Sequence, residues 1–342
     1  MTSRASITRL GLVLALGCAS AIVLGGCPES TPSGSDGGPT RRTWVVEQDH
    51  LSGALLSMWG SSPTDVFAAG GPLSTDGGSA FVVHYDGTTW QPMTITGTTL
   101  WWIFGFGPAD VWATGEHGVI LHYDGSAWST VEAPTHAYTL WGIWGASPTD
   151  IWTVGGVAAG GAPSVIRHYD GTTWTDITDV VMDSELLFKV WGTSSTDVWI
   201  VGTRGAALHW DGSAWTRTES GTTGRLLTVR GRAADDVYAV GGLGTPIVIH
   251  FDGTRWSPVT VDPLGGLMGV WTAPGHGVAV SGARGILLAD DGAGWAEPTD
   301  PSPTDLCLHV VWGDGTGKLY AAGGNLFSSA IPDGIIVSST PP

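Results

Sequence analysis

From residue 43 onward the chain alternates short apolar runs with small, turn-forming residues, and no stretch sustains the 3.6-residue period of a helix. One run has the form Leu-x-x-[Val/Ile/Met]-Trp-Gly. It appears as LLSMWG (55–60), LWWIFG (100–105), LWGIWG (140–145), LFKVWG (187–192), LLTVRG (226–231), LMGVWT (267–272) and LHVVWG (308–313). A second run follows each copy: DVFAAG (65–70), DVWATG (110–115), DIWTVG (150–155), DVWIVG (197–202), DVYAVG (236–241), GVAVSG (277–282) and KLYAAG (318–323). A third runs into Asp-Gly, and a fourth opens with Trp shortly afterwards, as in HYDGTTW at 84–90 and again at 168–174. Val, Ile, Trp and Tyr fill these runs, while Gly, Asp, Ser and Pro bound them, which is strand and turn chemistry.

Four strands, here named a to d, at a period of about 42 residues describe one blade of a β-propeller. A single blade exposes two apolar faces, so blades must stack around an axis to bury them. Strands a and b occur seven times, but Asp-Gly-x-x-Trp occurs only six times, at 86–90, 124–128, 170–174, 211–215, 252–256 and 291–295. The seventh copy stops after GIIVSST (334–340), and the missing d strand stands at the other end as TWVVEQ (43–48). The prediction is an all-β, seven-bladed propeller over 43–342, its last blade closed by the N-terminal strand. Such closure covers edges that would otherwise stay open.

These repeats resemble the BNR or Asp-box propellers, and they are similar to photosystem II assembly-factor-like propellers and to bacterial repeat lipoproteins. The resemblance spans residues 43–340 and implies the fold. An Asp-box reads Ser-x-Asp-x-Gly-x-x-Trp, whereas Asp and Gly are adjacent here. Function does not transfer with it, because such propellers host sialidases, lectins and scaffolds.

Residues 1–26 read as a signal peptide: Arg4 and Arg9 precede an apolar run, and Leu24-Gly25-Gly26-Cys27 follows. LGGC resembles a lipobox, which implies lipidation of Cys27 and a place in the cell envelope on a bacterial membrane, the outer membrane or cell surface. An ordinary secreted protein is the other reading. Residues 28–42 are rich in Pro, Gly and Ser, and with Cys27 they form a flexible linker. Cys307 is then the sole cysteine of the folded part, and an inert buried thiol is expected there rather than a reactive one. A net charge of -17 with two lysines, Lys189 and Lys318, excludes a nucleic-acid surface.

The recurrent His84, His122, His168, His209 and His250 suggest metal or acid–base chemistry. Each belongs to a different blade, so they cannot converge, and a ring stacked on or hydrogen-bonded to a repeat Trp is expected. The Asp of each Asp-Gly reads as a turn residue. Of 19 tryptophans, 16 fall on repeat positions, leaving Trp101, Trp102 and Trp141. The b–c loops vary most, and function usually rides on variable loops. Their face also carries Glu116, His117, Arg204 and Arg284. Those four and the three leftover tryptophans are the candidate binding residues. No catalytic residue, metal or cofactor is nominated. The expected function is a monomeric, lipid-anchored, non-catalytic module binding a protein or a glycan. The alternative is a sialidase-like glycoside hydrolase, for which Tyr138 is the one tyrosine outside the repeat.

Overall fold

In the computed structural model, the residues described are 41–340 apart from 72–79, 96, 159–163, 179, 181–184, 263–264 and 326–332. The expected signal peptide and Cys27 lie outside them. Seven four-stranded antiparallel sheets follow one another, as expected. Blade 1 consists of Ala54–Ser62, Asp65–Gly71, Phe81–Tyr85 and Trp90–Met93. Blade 7 consists of Cys307–Gly313, Leu319–Gly324 and Gly334–Ser339, closed by Trp44–Leu51 in antiparallel register with Trp44 opposite Ser339. Arg42, which composition places in the linker, is 7% exposed. It donates to the Gly317 carbonyl and pairs with Asp291 at 2.9 Å. The closing contacts thus begin ahead of the strand itself.

The repeat residues interlock neighbouring blades. The leucine that opens strand a is fully buried in all seven copies: Leu55, Leu100, Leu140, Leu187, Leu226, Leu267 and Leu308. The Trp near its end overhangs the Gly of the next blade. A Cβ on Gly105 would meet Trp59 at 2.7 Å, and one on Gly192 would meet Trp144 at 2.8 Å. Two blades lack the Trp: blade 2 has Phe104, and Phe106 takes the place over Gly145 at 2.6 Å, while blade 5 carries Arg230 and blade 6 then carries Thr272 in place of Gly.

His-Tyr-Asp-Gly-x-x-Trp divides its labour. Each His stacks on the strand-b aromatic of its own blade, with centroids 4.2 Å apart for His84 on Phe67 and 4.3 Å for His209 on Trp199. The expected stacking is present, but the hydrogen bond goes elsewhere. Nε2 donates to the aspartate that opens strand b, as in His84 to Asp65 at 2.6 Å and His122 to Asp110 at 2.8 Å. A carboxylate is the stronger acceptor, and strand pairing sets His84 beside Phe67, two residues from Asp65. The aromatic before Asp-Gly and the Trp after it grip the preceding blade instead. Phe251 and Trp256 pack on Trp199 at 4.7 and 5.2 Å.

The Asp-Gly turns are self-sufficient. Asp86 Oδ1 accepts from the Thr88 N–H and hydroxyl and from the Thr89 N–H, while Gly87 takes φ 91°. Backbone N–H and hydroxyl donors of this kind hold Asp86, Asp124, Asp211 and Asp252 at about 2. Cys307, expected to be buried, is half-exposed, because it is the first residue of its strand a and stands at the end of the ladder.

Candidate functional site: a cavity on the propeller axis

Every strand a carries a break in register at its second residue. Leu100 pairs with Gly115 and Trp102 with Thr114, leaving Trp101 unpaired, and the same step recurs in all seven blades. A bulge of this kind re-aims a side chain and frees its carbonyl from the ladder. Just ahead of it the glycine ending strand b lets the chain entering strand a approach closely: a Cβ on Gly115 would meet the Thr99 carbonyl oxygen at 2.2 Å, and one on Gly202 the Leu186 oxygen at 2.1 Å.

The bulged residues are Leu56, Trp101, Trp141, Phe188, Leu227, Met268 and His309. All but Leu56 line one cavity of about 340 Å³, joined by Ala158, Leu186, Lys189, Arg225 and Leu243. Leu243 and Ala158 come from b–c loops and Leu186 and Arg225 from d–a links, so the cavity opens on the face singled out by loop variation. Its walls are apolar and aromatic, with Trp141 and Phe188 rings 5.4 Å apart. Leu243 is 59% exposed at the mouth.

Three of the freed carbonyls take a neighbouring side chain as donor, as buried acceptors require. His309 Nδ1 donates to the Leu56 oxygen at 2.7 Å, Thr228 to the Met268 oxygen at 2.6 Å, and Lys189 Nζ to the Trp141 oxygen at 2.6 Å. Lys189 also lies 4.1 Å from the centre of the Trp102 ring. It is 4% exposed and forms no ion pair among the described residues. Burial pulls its ammonium down to about 7. Burial, with the Lys189 charge adding to it, pulls His309 down to about 4. No Asp or Glu lines the cavity among the described residues, in a chain whose net charge is -17.

The seven sequence-nominated residues separate. Trp101 and Trp141 line the cavity, and Trp102 lies buried under Lys189. Glu116, His117, Arg204 and Arg284 do not line it. They sit in three equivalent tight turns after strand b of blades 2, 4 and 6, where His117, Arg204 and Arg284 take φ 57°. Each turn is tied to the d–a link behind it, through His136 N to His117 O, Gly205 N to Gly224 O and Gly285 N to Leu306 O. Burial raises the Glu116 carboxyl above its ordinary range. Arg284 instead borders a separate groove of about 700 Å³, where Arg41, Asp262, Glu297 and Asp300 mix with Ile286 and Leu288. Sequence reasoning missed Phe188, Lys189, Leu227, Met268 and His309. Their shared signal is position: the second or third residue of strand a. Among the described residues, no three His, Cys, Asp or Glu side chains group as a metal ion would require.

No family model and no curated protein matches the chain. Solved structures do. YCF48 bound to D1 peptide superposes with a TM-score of 0.65 at 15% identity, covering 89% of this chain and 98% of that one. YCF48 from Cyanidioschyzon merolae gives 0.62 at 14% identity over 86% and 98%. The WD40 repeats of RRP9 give 0.66 at 8% identity over 88% and 100%. At such identities the likeness establishes the architecture, a seven-bladed β-propeller, and nothing finer.

Proposed function

We propose that this chain is a non-catalytic recognition propeller that docks a protein partner over its axial cavity, held at the cell envelope by a lipid on Cys27. One observation carries the reading: bulges in consecutive blades turn Trp101, Trp141, Phe188, Leu227 and Met268 into one apolar mouth, with Leu243 exposed beside it. A clustered aromatic and aliphatic centre ringed by polar loops is the anatomy of a protein-binding patch. A propeller of the same fold is described as bound to a peptide, which supports a ligand of that kind. The sialidase-like alternative lacks support at this site. Glycosidase chemistry needs facing carboxylates or a tyrosine partnered by one, whereas Tyr138 stacks on His136 at 4.5 Å. The aromatic faces of Trp101 and Trp141 favour a glycan as the second reading, but sugar hydroxyls need acceptors that these walls do not supply.

A photo-crosslinking residue placed at Leu243, in the native cells, is expected to give a discrete adduct, while one at Thr254 on the opposite face gives none. Equal labelling at both positions would overturn the docking face. Binding of free oligosaccharide at the cavity, with no protein adduct, would favour the glycan. For the anchor, a lipid label is expected on the native chain and not on Cys27→Ala.

A further inference from the structure

We propose that the floor of the axial cavity is a binding site for one small apolar carboxylate, its hydrocarbon body among Trp101, Trp141, Phe188 and Met268 and its carboxylate on Lys189. This site goes beyond the docking face above and does not depend on it, since a small ligand can occupy the floor with or without a partner over the mouth. Three observations carry it.

First, Lys189 is more than its structural task requires. The carbonyls freed by the bulges need a donor, and at the equivalent position of blade 5 the neutral hydroxyl of Thr228 supplies one to Met268. Lys189 does the same for Trp141 and brings a charge as well. Second, that charge is buried to 4% exposure with no carboxylate beside it among the described residues. An ammonium has three donors. Here one is used on a carbonyl and the indole face of Trp102 stabilises the cation, so the charge remains to be neutralised. A buried charge without a counter-ion is costly, and an entering carboxylate removes that cost. Third, the space suits the ligand: about 340 Å³, apolar walls, one cation at depth and a second, Arg225, bordering the same space. A polypeptide running through the floor would bury backbone amides against walls with few partners for them, which a small amphiphile avoids.

The titratable groups facing Lys189 are His309 from blade 7 and Arg225 from the link before blade 5; blades 2, 3 and 6 present Trp102, Trp141 and Met268. With the ammonium at about 7 in the empty cavity, carboxylate binding above that pH draws a proton onto Lys189.

The test is calorimetric titration of the folded chain with sub-micellar decanoate and, separately, decanamide. We expect the acid to bind about tenfold or more tighter than the amide, with proton uptake at pH 8 seen as a dependence of the heat on buffer ionisation. In Lys189→Met the preference should collapse to within about twofold and the proton uptake should vanish. Equal affinity for acid and amide in the unmodified protein would overturn the proposal without recourse to any variant. So would a preference that survives in Lys189→Met. If decanoate gives no heat while a short peptide with a free, apolar C-terminal residue binds, the small-ligand assignment is overturned in favour of a chain end. The crosslink at Leu243 reports separately on partner docking, so failure of one reading leaves the other legible.

Discussion

The rim of this propeller and its axis are built from the same repeat, yet they behave as opposites. At the rim the recurrent contacts are made by the repeat itself: His with Asp, Asp with the N–H groups of its own turn, Trp over Gly. At the axis the repeat supplies only the bulge, and the residue type it points inward varies around the ring. Periodicity therefore builds the frame, and departure from periodicity builds the cavity. Lys189 marks the contrast most sharply, because it is the one lysine without a carboxylate: Lys318 pairs with Glu47 at 2.9 Å.

If the rim carries stability and the axis carries recognition, variants should divide accordingly. The largest effect is expected from deleting residues 43–48, which removes Trp44 and the Glu47 pair and exposes the edge of Gly334–Ser339. The melting temperature should fall further than for any single substitution below, and a truncated chain as stable as the parent would break the closure. Trp199→Ala comes next. Its ring is fully buried between His209, Phe251 and Trp256, so denaturant unfolding should show a loss of about 3–5 kcal/mol.

Gly231→Ala should cost about 1–3 kcal/mol, since its Cβ would meet Trp191 at 2.6 Å. A Cβ is already present at the equivalent Thr272, which faces blade 5 and its Arg230, so Thr272→Ala should cost less. Similar losses at the two sites would undo the Trp-over-Gly account. Smaller again is the acid response of the turns. Asp86, Asp124, Asp211 and Asp252 are held at about 2, below the ordinary carboxylate value, so the unfolded chain binds more protons between roughly pH 4 and 2. Their contribution is present above that window and is lost as pH falls through it. Combined Asp→Asn changes, which keep a side-chain acceptor in each turn, should flatten the melting temperature against pH across the window.

The smallest effect on stability belongs to the axis. Lys189→Met trades an unpaired buried charge for an apolar side chain of similar length but leaves the Trp141 carbonyl without its donor, two effects of opposite sign, so its melting temperature should stay close to that of the parent. A fall like that of Trp199→Ala would make Lys189 a structural residue and erase the distinction between rim and axis.

Blade count, strand order and closure were legible in the sequence because each follows from spacing: seven copies of the strand-a run against six Asp-Gly-x-x-Trp turns leave one arrangement that pairs every strand. The histidines were placed correctly in separate blades for the same reason. Their aspartate partners were not foreseen, because Asp65 and His84 meet only when strands b and c pair. Among the site residues, Trp101 and Trp141 stood out as surplus to the repeat, whereas Phe188, Leu227 and Met268 looked like ordinary strand hydrophobes. Arg204 and Arg284 match each other in sequence and share a left-handed turn.

By itself the sequence determined the architecture, since local alternation, turn chemistry and period are each readable within one blade's length. Which side chains meet on the axis was decided only by tertiary structure. Residues some 40 positions apart converge there through a backbone bulge, and a bulge is a property of strand pairing rather than of any one residue type.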